Sequence, residues 1–150
     1  MFELVDSFGD QHNIYSYDTT KYNFRSFLEK TLDVSSLDIV EQSCIEYNEN
    51  IDEIKNKTYQ LSDIETSLHK KFYSTIKRDD TFKKMYCALI NDIYKFFFHD
   101  EKLLIYQSYP SIRFQFENSK TVPEHYDADE KASHPIGERN FLLPVTEMKN

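Results

Sequence analysis

Every proline of this 150-residue chain lies at or after position 110: Pro110, Pro123, Pro135 and Pro144. The two glycines, Gly9 and Gly137, stand near the ends. Proline breaks a helix interior and glycine weakens one. Residues 10–100 therefore carry neither breaker, while the last fifty are punctuated repeatedly. The spacing predicts a change near residue 100, from a helical part to a part of strands and turns. A chain of this length fits one domain. The expected fold class is α+β, with a mainly helical region 1–100 and a strand-bearing region 101–150 in one structural unit.

Within the first part, residues 1–19 read as an irregular lead-in with at most one short strand, from which Phe2, Leu4, Val5 and Phe8 could pack on the body. From Thr19 the period becomes helical, and Phe24, Phe27, Leu28 and Leu32 share one face. Ser35 or Ser36 could cap a next helix carrying Leu37, Val40, Cys44, Ile45 and Tyr47. Two stripes are the steadiest: Leu61, Ile64, Leu68, Phe72 and Ile76, then Phe82, Met85, Tyr86, Leu89, Ile93 and Phe97. They predict helices over roughly 62–77 and 80–98, the second capped by Asp79, Asp80 or Thr81. Each has one wide apolar face, and a sheet is the expected surface to cover it. His69, between Leu68 and Lys70, reads as a solvated helix residue.

In the second part the period falls to two. Residues 103–106 read as a short strand. In 112–116 Ile112, Phe114 and Phe116 share one face and Arg113 and Gln115 the other. Residues 122–127 and 138–146 read as further strands, separated by the polar loop 128–137. In the last of these Arg139, Phe141 and Leu143 oppose Asn140 and Leu142, and Pro144 marks an edge or a strand end.

Charge and cysteine content narrow the function classes. The net charge is −8, which opposes a nucleic-acid footprint and adsorption to an anionic membrane surface. The longest apolar run, 93–98, is interrupted by Lys95 and is too short to span a bilayer. Residues 1–10 lack the basic, apolar and small-residue order of a signal peptide. Cys44 and Cys87 fall in expected helices with apolar neighbours, so reduced core thiols in a cytoplasm are the expectation.

The residues with the most chemistry lie at 113–140. His125 and Asp127 are two apart, so on a strand an imidazole and a carboxylate would aim at one point. That is two-thirds of the 2-His-1-carboxylate arrangement that holds non-haem Fe(II). A bare H-x-D triplet is more often met in a solvated turn, here after Pro123. His134 could orient a ligand, touch a substrate, or be a loop histidine. Glu138 and Asn140 share one face of the last strand, pointing to a polar site or to solvent. No catalytic group beyond the metal ligands stands out.

Taken together, PSIRFQF (110–116), HYDAD (125–129) and HPIGERNFLLPVT (134–146) resemble, in order, the bacterial Fe(II)/2-oxoglutarate-dependent oxygenases of the streptomycin-biosynthesis type. These are also found in sporadic carbohydrate-biosynthesis clusters. The blocks span about a quarter of the chain. The resemblance implies an incomplete double-stranded β-helix, a jelly roll related to the cupins, with the helical region packed on it. It implies Fe(II) as metal with His125 and Asp127 as its first two ligands, and 2-oxoglutarate as co-substrate. It also implies a sugar or sugar-derived substrate, and a wall of Arg113, Gln115, His134, Glu138 and Asn140 near the iron. The distal His and the basic residue that pairs with the far carboxylate of 2-oxoglutarate would follow the last block. The chain thus reads as the N-terminal portion of such an enzyme, with little turnover alone and with open sheet edges through which it could dimerise. The alternative is a non-catalytic cupin-like binding or interaction module.

Overall fold

The computed structural model describes residues 2–8, 12–39, 42, 67–114 and 138–146. These residues are α+β. A two-stranded antiparallel sheet is formed by β1 (Glu3–Phe8) and β2 (His12–Ser16). It is followed by α1 (Phe24–Leu32), a 3-10 turn (Leu37–Ile39), α2 (Ser67–Ile76) and α3 (Asp80–Phe97). No jelly roll is formed among the described residues.

The helix ends follow from short polar side chains. Asn23 accepts from the Ser26 amide at 3.1 Å and so satisfies one of the orphan donors at the start of α1. The other end closes with Asp33 in the left-handed region (φ 60°). There the Asp33 amide reaches the Lys30 carbonyl and the Val34 amide reaches that of Glu29, a Schellman closure. Lys71 of α2 donates to the Leu32 carbonyl at 3.0 Å, placing a cation at the negative end of α1. Asp79 caps α3 by accepting from the Phe82 amide at 2.7 Å, and Asp80 adds a carboxylate to the first turn.

The described part of each apolar stripe turns inward: Leu68, Phe72 and Ile76 on α2 and Phe82, Tyr86, Leu89 and Ile93 on α3 are buried, Met85 and Phe97 are half-buried, and Leu61 and Ile64 lie outside the described residues. Among the described residues their cover is other helices and not a sheet. α2 lies against both α1 and α3, and the core they share includes Phe24, Leu28, Leu32, Leu37 and Phe114. Phe82 stands at its centre, with the rings of Phe24, Phe27, Phe72 and Tyr86 at 5.0–6.1 Å. The buried arc of α2 also takes in His69. That residue is 1% exposed rather than solvated, and its ring meets Phe114 edge-on at 4.7 Å.

The lead-in is more ordered than its sequence suggests, because β1 and β2 pair with each other. Val5 forms a bulge between the Leu4–Tyr15 and Asp6–Ile14 pairs. Phe2 and Tyr15 pack on Phe96 and Phe97 at the end of α3, whereas Leu4 and Val5 stay exposed.

The extended stretches behave differently from strands. Residues 103–107, 110–114 and 138–144 join no ladder among the described residues. Tyrosine hydroxyls hold the first two instead. Tyr94 donates to the Glu101 carbonyl at 2.5 Å and Tyr86 to that of Gln107 at 2.8 Å, while the Ile112 amide donates to Tyr73 at 3.1 Å. The expected alternation nevertheless persists: Ile112 is half-buried, Arg113 exposed and Phe114 buried. Leu143 and Val145 likewise turn inward, and Leu142 outward.

Candidate functional site

Of the residues implied by the resemblance, Arg113, Glu138 and Asn140 lie within the described structure. Gln115, His125, Asp127 and His134 lie outside the described residues. Arg113 is exposed on the face opposite Phe114, and its guanidinium makes no ion pair among the described residues. Glu138 and Asn140 are both exposed on the segment 138–146. Neither cleft described below is lined by these three side chains. Among the described residues no group of three or more His, Cys, Asp or Glu side chains could hold a metal ion. The donor chemistry of His125 and Asp127, one imidazole and one carboxylate, fits two positions of a non-haem Fe(II) site.

A second constellation escaped the sequence reading. Between residues 17–25 and residues 144–146 lies a cleft of about 520 Å³. One wall begins with a turn in which the Asp18 carboxylate accepts from the Thr20 and Lys21 amides, both at 2.9 Å. The Lys21 amide bond leads the interactions that hold Asp18 below the usual carboxylate range. Tyr22 follows, 3% exposed, its hydroxyl donating to Asp92 of α3 at 2.5 Å. Lys21 reaches the same carboxylate oxygen at 2.5 Å.

Arg25 lines the cleft between its two walls. Its guanidinium donates to Asp38 at 2.6 Å, to Glu29 at 3.1 Å and to the Ser36 hydroxyl at 3.1 Å. One further N–H reaches the Val145 carbonyl at 3.5 Å, tying the two walls together. Asp38 is the main reason the guanidinium is held even more firmly protonated than usual. Tyr17 is half-buried, and burial raises its phenol. The signal that could have revealed this site is the hydroxyl-rich run YDTTKY (17–22), which has no apolar period.

A shallower groove of about 290 Å³ runs along α3 and residues 102–106, with Cys87, Ile90 and Tyr94 on one side and Leu103 and Leu104 on the other. Cys87 is half-buried there as a free thiol. No described helix is long and apolar enough to cross a membrane. Comparison with family models, with curated proteins and with solved structures finds no match.

Proposed function

We propose that these 150 residues are the N-terminal portion of a non-haem Fe(II)/2-oxoglutarate-dependent dioxygenase acting on a sugar or sugar-derived small molecule in the cytoplasm. The carrying observation is the order of three blocks, with His125 and Asp127 at strand spacing inside the second. The outward phase of Arg113, between half-buried Ile112 and buried Phe114, supports it. Residues 110–116 would become a strand of a double-stranded β-helix, with its apolar side on the helices and its polar side toward the site. Leu103 and Ile105, 75% and 87% exposed, are further support: an extended stretch with bare apolar side chains is what a strand lacking its neighbour presents. Pairing through such edges would also allow a homodimer.

In this reading His125 and Asp127 hold the iron. Arg113 offers a planar cation to a carboxylate of co-substrate or substrate. Gln115, His134, Glu138 and Asn140 line the wall. When bound, Fe(II) and 2-oxoglutarate supply the oxidation of a substrate C–H bond by O2, with decarboxylation of the co-substrate. His125 and Asp127 would supply two of the three protein ligands that such a site needs.

Anaerobic Fe(II) titration of the 150-residue chain tests the assignment. Weak binding is expected, falling at least about tenfold in His125→Ala or Asp127→Ala, since even outlying partners of a metal ligand are worth that much. Unchanged iron affinity in both variants would overturn the metal reading. Rapid 2-oxoglutarate decarboxylation by this chain alone would overturn the reading of it as a partial enzyme.

A further inference from the structure

We propose that the cleft between residues 17–25 and residues 144–146 binds a neutral, polyhydroxylated small molecule, a sugar without a phosphate. This deepens the sugar-substrate part of the reading above and rests on it, although the chemistry is taken from the cleft walls. Its volume of about 520 Å³ falls in the ~300–1,000 Å³ range of small-molecule sites.

Five of the nine lining residues carry hydroxyl groups. Those of Tyr17, Thr19, Thr20 and Thr146 make no hydrogen bond among the described residues, and each can both donate and accept. A sugar hydroxyl has the same dual character, so such a set matches it without an ionic partner. The half-buried ring of Tyr17, with Pro144 and Val145 opposite, offers apolar surface to the C–H face of a sugar ring.

The frame behind these hydroxyls is already fixed. Tyr22 is anchored on Asp92, Asn23 caps α1, and Arg25 is held by Glu29, Ser36 and Asp38. A site whose supports are locked before binding loses less freedom on binding. The same frame argues against an anion. The cations around the cleft, Lys21 and Arg25, are engaged by Asp92, Glu29 and Asp38, and Asp18 adds a further carboxylate. Two cations stand against four carboxylates, so a phosphate would meet net negative charge.

The test is a 1H–15N titration of the metal-free 150-residue chain with neutral hexoses, deoxyhexoses, pentoses and disaccharides, and with glucose 6-phosphate. At least one neutral sugar is expected to saturate, with shifts confined to residues 17–25 and 144–146. Glucose 6-phosphate should bind more weakly than glucose. Tyr17→Phe and Thr146→Val, changes at half-buried positions that preserve shape, should each weaken binding roughly three- to tenfold, as expected for one lost hydrogen bond. No saturation by any neutral sugar, tighter binding of the phosphate, or unchanged affinity in both variants overturns the proposal. Because the chain is metal-free, none of these outcomes bears on His125. Conversely, iron binding that survives His125→Ala and Asp127→Ala beside a working sugar site sinks the metal reading alone.

Discussion

The Tyr86 hydroxyl, rooted in the buried face of α3, donates to the main-chain carbonyl of Gln107 across 2.8 Å. It is one of three tyrosine contacts that fasten residues 101–114 to the helices, where no ladder does so among the described residues. Tyr86→Phe removes the bond and keeps the ring, so the expected loss is about 1 kcal/mol. Denaturant unfolding measures it. The loss should be accompanied by faster amide exchange in 103–107.

Alkaline pH should act on the same groups. Burial raises the phenols of Tyr17, Tyr22 and Tyr86 above their ordinary value of 10.0. Above pH 10 the folded chain therefore holds protons that the unfolded chain releases, and stability falls as pH rises. Tyrosinate absorbance followed against pH should show part of the eleven tyrosines ionising late, together with loss of helix. A single early titration of all eleven would contradict the burial described.

Asp92 gives the opposite sign at the acid end. Its carboxylate is held below the ordinary value of 3.8 first by the Lys21 bond and then by the Tyr22 bond. That contribution is complete above the ordinary value and is lost as pH falls through the depressed one. Asp92→Asn should cost about 1–2 kcal/mol at neutral pH, since it weakens bonds to a charged acceptor, and should flatten the acid limb of the stability curve. An acid limb identical to that of the parent chain would refute the clamp.

Asp33→Gly should stabilise the chain. Asp33 is the one non-glycine residue with positive φ among the described residues, and a Cβ in that region costs roughly 1–2 kcal/mol. Part of the relief is offset by the greater freedom of glycine in the unfolded chain. A net gain of about 0.5–1 kcal/mol is expected, read as a higher Tm. A lower Tm would mean that the Asp33 side chain contributes more than its backbone strain removes.

What the sequence discloses is what repeats locally. The stripes Leu68–Phe72–Ile76 and Phe82–Tyr86–Leu89–Ile93 name the buried faces, and Asp79 announces its own cap. The inward phase of Ile112 and Phe114 is likewise readable from alternation. Contacts between distant positions leave no such trace. Nothing near His69 says that Phe114 will cover it, and nothing near Tyr94 says that its hydroxyl will meet Glu101. The β1–β2 pair hides because Leu4, Val5 and Ile14 are exposed, so its apolar residues do not mark an inner face. The cleft at Arg25 is invisible for a similar reason, since its partners Asp38 and Val145 lie 13 and 120 positions away.

That 120-residue span from Arg25 to Val145 has a kinetic consequence. A chain emerging from the ribosome exposes α1 long before the residues that complete its surroundings have been made. The Asp38 and Glu29 carboxylates are therefore available to the guanidinium first, and they remain its nearest partners once Val145 is in place. The last segment must then close onto an assembly already formed. Nascent chains stalled before position 145 should thus hold a helical body whose final wall has yet to arrive.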